Sequence, residues 1–161
     1  MNVAFHEVQR LGQNPIVAIL AASTGAFTTI LLGTLALTVA RQDWLTLVVV
    51  WGCVVGFELF LLFGLRLETS VITGDEPALR LSFRPLPTTT VSLREFDAFE
   101  PVRYDPIRDA GGWGVKWSKR YGRVYSILGD RAVWITGPSA SYLVGSQRAE
   151  DLARALIDAQ R

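Results

Sequence analysis

The stretch Pro15–Ala40, PIVAILAASTGAFTTILLGTLALTVA, carries 26 residues without a charge. As an α-helix it would run roughly 39 Å, at about 1.5 Å per residue, against about 30 Å of bilayer hydrocarbon. A second run follows, Trp44–Leu65, WLTLVVVWGCVVGFELFLLFGL, 22 residues with Glu58 as their one charge. Two such runs predict two transmembrane helices, because a helix in a soluble core seldom stays apolar all round for this length. Only Arg41-Gln42-Asp43 lies between them, so the helices are expected to form an antiparallel hairpin with both chain termini on one side. Asn14-Pro15 makes a good start: Asn can cap, and Pro is tolerated in the first turn. Trp44 opens the second helix, where an indole suits the water–lipid boundary.

Thr38-Val39-Ala40 loosely resembles a signal-peptide cleavage site. The apolar run far exceeds the usual signal core of about 7–15 residues, so an uncleaved anchor is expected. Arg10 flanks the first helix, and Arg66, Arg80 and Arg84 follow the second, with Arg41 alone in the turn. The positive-inside bias then places both termini in the cytoplasm. In the leading segment 1–14, Val8 and Leu11 with Phe5 beside them predict a short interfacial helix, with His6 exposed.

The whole chain has 161 residues, 50% of them hydrophobic and 19% charged, with a mean hydropathy of +0.28. Soluble domains average about 25% charged. Sixteen basic and 15 acidic residues nearly cancel, which argues against a nucleic-acid binder driven by bulk charge. One Cys excludes an intramolecular disulfide, and one Cys with one His excludes a Cys/His zinc cluster. The lone His, near the N-terminus, argues against a His-based triad. No catalytic, cofactor-binding or metal-binding residue is expected, and no small-molecule substrate.

From Arg66 onward the composition changes, with 14 of the 16 basic and 12 of the 15 acidic residues. Leu79-Arg80-Leu81-Ser82-Phe83-Arg84 alternates apolar and polar, as a half-buried strand does. Similar runs occur at 67–72, 90–96, 114–117, 124–127, 132–136 and 141–144. They are separated by turn signals such as Gly74-Asp75, Pro85-Leu86-Pro87 and Gly129-Asp130. Most gaps are too short for parallel crossovers, so the sheet should be mainly antiparallel. The chain closes with an amphipathic helix over about 147–159, capped by Ser146, with Ala149, Leu152, Ala153, Leu156 and Ile157 on one face. The expected fold is α+β: an N-terminal transmembrane hairpin (15–40 and 44–65), then a domain over 66–161. That domain has about seven strands in a barrel or sandwich, with the helix plugging one end, as in the pleckstrin-homology superfold.

The stretch Tyr104-Asp105-Pro106-Ile107-Arg108-Asp109-Ala110-Gly111-Gly112-Trp113-Gly114-Val115-Lys116-Trp117 resembles one found in bacterial membrane proteins with a PH-like domain. Gly122-Arg123-Val124-Tyr125, the turn Gly129-Asp130-Arg131 and the closing run Leu143-Val144-Gly145-Ser146-Gln147-Arg148-Ala149-Glu150-Asp151-Leu152 resemble the same family, in the same order. The family is largely uncharacterised. The likeness implies a PH-like fold at a bacterial plasma (inner) membrane and no activity. The segment 132–141, AVWITGPSAS, departs from the more polar turn usual there, so turn contacts are not carried over.

Glu58 is the sharpest single residue, because a carboxylate in hydrocarbon costs several kcal/mol unless neutralised, paired or hydrated. Gly52 and Gly56 form a GxxxG pattern, and at about 100° per residue Glu58 points roughly 140° from their mean. If the glycines pack on the first helix, Glu58 faces a third helix from another copy or another protein. Alternatively Glu58 is protonated and hydrogen-bonded to Ser23 or Thr24 within the hairpin. The first helix carries two small-residue stripes, Ala18, Ala22, Ala26 and Gly25, Thr29, Gly33, which pack the hairpin or a partner. Lys116, Lys119, Arg120 and Arg123, interleaved with Trp117 and Tyr121, could contact anionic lipid at about 1 kcal/mol per charge if their turn meets a membrane. Otherwise they form a solvated face balanced by Asp105 and Asp109. Trp113, Trp117 and Trp134 are expected in the core or on a sheet face, and Cys53 as a small hydrophobe in lipid. The expected function is a non-catalytic membrane-anchored adaptor or accessory subunit that binds another membrane protein or itself. The alternative is a small transport or proton-coupled subunit using Glu58.

Overall fold

The computed structural model describes residues 2–38 and 44–161, and the Arg41-Gln42-Asp43 link with the Val39-Ala40 end of the first apolar run lies outside them. The chain divides into two units: the residues up to Arg10 together with Arg66–Arg161, and Leu11–Leu65.

The first unit begins with a strand where the sequence predicts a helix. β1, Asn2–Arg10, pairs antiparallel with β2, Arg66–Thr73, from Asn2↔Thr73 to Arg10↔Arg66. The expected interfacial helix over 1–14 is thereby corrected, and the domain expected over 66–161 gains a strand from the N-terminus. Phe5 and Gln9 face inward while Val3 and Val8 face out, so the strand inverts the usual pattern and its apolar residues mislead. β3, Ala78–Arg84, and β4, Thr89–Ser92, complete a four-stranded sheet in the order β1-β2-β3-β4. In β3 the predicted alternation holds, with Leu79, Leu81 and Phe83 buried and Arg80 and Arg84 exposed.

The second sheet has five strands: β5, Ala98–Arg103; β6, Gly114–Ser118; β7, Gly122–Ser126; β8, Arg131–Thr136; and β9, Ser141–Gly145. Their order is β5-β8-β9-β7-β6, and β7–β9 is the one parallel pair in it. The region 66–161 thus holds eight strands rather than about seven. The added one, β5, carries Pro101 and charges that hide its strand character. Proline is tolerated there because β5 lies on an edge. One face of this sheet buries Val124, Ala132 and Leu143 under Tyr104, Ala110 and Tyr121.

α1, Pro15–Thr38, and α2, Trp44–Leu59, make the second unit, and a π-helical turn, Phe60–Gly64, ends α2. Asn14 caps α1 as expected, its Oδ1 accepting from the Ile16 N–H at 3.1 Å. The apolar side chains Ile19, Leu20, Phe27, Ile30, Val48 and Phe57 are exposed. Both helices are long and apolar enough to cross a membrane.

α3, Ala149–Gln160, is the closing helix, with Ala149, Leu152, Ala153 and Leu156 buried. It starts two residues later than predicted. Arg148 occupies the cap position without a side-chain cap, and Ser146 instead accepts from the Arg148 N–H at 3.0 Å. This corner is tied to β1. Glu7 accepts from the Ser146 hydroxyl and, at 3.0 Å, from the Gln147 N–H. Gln9 donates to Gly145 O at 2.9 Å, and Arg148 donates to His6 O at 2.9 Å while lying over the Phe5 ring. The charge-assisted bonds among these are the stronger kind, so β1 is held by side chains as well as by its ladder.

Candidate functional site

Two places gather the residues singled out by sequence. Within the helical unit, Thr24 donates to Glu58 Oε1 at 2.8 Å. A Cβ placed on Gly25 would lie 2.7 Å from Glu58 Oε2, so the glycine leaves the room that the carboxyl fills. Trp51 Nε1 donates to Thr29 at 3.1 Å further along the same seam. The stripe containing Gly25 and Thr29 therefore meets α2. A Cβ placed on Gly52, Gly56 or Gly33 would meet nothing within 4 Å. Of the two arrangements left open by the sequence, the structure has the one in which Glu58 meets Thr24 on α1, with Gly52 and Gly56 turned away from it. Glu58 takes that face, with the Thr24 hydroxyl within hydrogen-bond distance. A groove of about 640 Å³ opens beside it, lined by Val17, Leu20, Thr24, Cys53, Phe57 and Glu58 among others.

In the β-rich unit, Lys116, Lys119, Arg120 and Arg123 span the β6–β7 turn, as read from the sequence. They do not form one patch. Lys116 pairs in register with Val124 and Trp117 with Arg123, so Lys116 and Arg123 leave opposite faces of the sheet. Lys116 Nζ is bonded to Gly111 O, and Arg120 lies 4.9 Å over the Tyr121 ring. Among the described residues no ion pair joins these four cations to Asp105 or Asp109. Asp105 pairs instead with Arg108 at 3.7 Å, and Asp109 accepts the Asp105 N–H at 2.9 Å. The Arg108 and Ile107 N–H groups donate to Asp105 and hold its carboxyl below the usual carboxylate range. Burial pushes the Tyr104 hydroxyl above its ordinary value.

Trp134 packs against the core and edge-on to Tyr121, with ring centres 5.5 Å apart. Trp113 lies half-buried in a bend, its indole N–H donating to Gly129 O. Trp117 lies on a sheet face, in β6, and is 73% exposed. It lines a groove of about 410 Å³ together with Phe83, Leu86, Val115, Arg123 and Tyr125, among others. No local pattern in the sequence marks this groove, because Phe83 and Leu86 reach it from a strand and turn far along the chain. Comparisons with protein-family models, with curated proteins and with solved structures found no match.

Proposed function

We propose that the chain is a membrane-anchored adaptor: a two-helix hairpin in the plasma (inner) membrane of a bacterium, carrying a PH-like, non-catalytic domain in the cytoplasm. It binds another membrane protein or further copies of itself. One observation carries this reading. The apolar helices are inserted between β1 and β2, two adjacent strands whose pair Arg10↔Arg66 brackets the insertion. Two crossings would return the chain to the side it left, in keeping with that pairing, whereas one crossing would part the strands. Removal of α1 as a signal peptide would also remove β1 and strip the sheet of its edge.

Outward apolar side chains on both helices support a hydrocarbon surrounding, where they cost nothing and backbone polar groups are satisfied within each helix. The α+β domain with its C-terminal helix is consistent with the PH-like likeness, although β9 lies between β8 and β7 rather than at the end of a simple meander.

The test is membrane fractionation followed by mild-detergent pull-down. The full chain should stay with carbonate-washed membranes and emerge with a stoichiometric partner or as an oligomer. A chain recovered in the aqueous fraction, or as a partner-free monomer, overturns the proposal.

A further inference from the structure

We infer that the Trp117 groove receives an extended, acidic segment of another protein, added as a strand along the free edge of β6. This rests on the adaptor reading and names the chemistry of its partner.

β6 ends its sheet and, among the described residues, pairs only with β7. Edge strands of this kind accept a further strand through their main chain. Residues 115 and 117 lie on the same face of β6 as their partners Tyr125 and Arg123. That face is turned toward the first sheet, since the Tyr125 hydroxyl meets Thr89 Oγ1 of β4 at 3.0 Å. A tryptophan facing the interior side of a sheet ordinarily sits under cover. Here the first sheet stops short and Trp117 stays open, beside exposed Leu86.

The groove thus offers an apolar floor, a main-chain edge and, across from Trp117, Arg123. That guanidinium is exposed and has no carboxylate partner among the described residues. An arriving strand that alternates apolar and acidic residues matches all three. Its apolar side chains would cover Trp117 and Val115, and its carboxylate would take the fork of Arg123. A membrane surface matches the charge and can take an indole, but it has no use for a strand edge.

The full chain in nanodiscs of neutral lipid is probed with labelled nonapeptides alternating Val or Phe with Glu, and with matched peptides carrying Lys in place of Glu. The acidic series should bind and the basic series should not. Trp117→Ala and Arg123→Glu, both at exposed positions, should each weaken binding at least tenfold, and Arg154→Glu on α3 should leave it unchanged. Three results overturn the inference: no binding by the wild type, equal binding of both series, or binding that moves to anionic-lipid nanodiscs and leaves the peptides free. A membrane-bound chain that still captures its native partner in both variants would sink this groove while leaving the adaptor reading intact.

Discussion

The two units use the same apolar residue types in opposite ways. Leu81, Ile135 and Leu143 of the β-rich unit are fully buried, whereas Ile30 and Phe27 of α1 are each 66% exposed. In the first unit a period of two sorts side chains between a core and water, with Arg80 and Arg84 turned outward from β3. In the second no sorting exists, because apolar groups surround each helix and the polar contacts lie on the seam between them. Such a disposition favours apolar surroundings and supports the membrane proposal. The kind of apolar residue does not separate the units; the disposition of those residues does.

The sharpest way to break that comparison is to make the same cut in both units. Leu143→Ala removes a fully buried side chain and should cost about 2–5 kcal/mol. Ile30→Ala removes an exposed one and should stay within about 0.5 kcal/mol. Thermal unfolding of the full chain in nanodiscs reads both. Equal losses would mean that Ile30 is covered by protein, and the contrast between the units would fail.

A charge probes the surroundings directly. Phe27 sits near the middle of α1 and faces outward. Phe27→Arg places a guanidinium where, at a bilayer centre, it costs about 2.5–3.5 kcal/mol by insertion scales. The carbonate-resistant fraction should fall sharply, while a helix bathed in water would gain solubility and keep its partition. An unchanged membrane fraction would contradict the proposed crossing at α1.

Legibility from sequence follows the same division. α1 and α2 are readable within a few residues because a charge-free run needs no partner to be recognised. β2 and β3 are readable because alternation is local, and β8 because Ala132–Ile135 is a short apolar run between turn signals. β1 is not, since its inward positions include Gln9 and Glu7, whose use appears only when Gly145, Ser146 and Gln147 are brought beside them. β5 is hidden by Pro101, acceptable only at an edge that the topology creates. The seam is legible as far as Glu58 and its candidate donor Thr24. Which helix face packs inward stays open at that level, because spacing sets Glu58 against the glycines without saying which side meets α1. The Trp117 groove depends on where the first sheet stops, and no local pattern encodes that.

The seam permits the finest test, again a paired one. Gly25→Ala would bring a Cβ to 2.7 Å from Glu58 Oε2, so the carboxyl must swing and the Thr24 bond at 2.8 Å is strained or lost. Interhelical hydrogen bonds of this kind are worth about 0.6 kcal/mol on average and up to about 1.7, which sets the expected loss in nanodisc unfolding. Gly56→Ala adds the same methyl where nothing lies within 4 Å, and should change little. Adding Glu58→Ala to Gly25→Ala supplies the control. With the carboxyl gone the methyl has nothing to displace, so the two losses should fall short of additive. Equal costs at Gly25 and Gly56, or strict additivity with Glu58, would show that α2 turns its other face to α1.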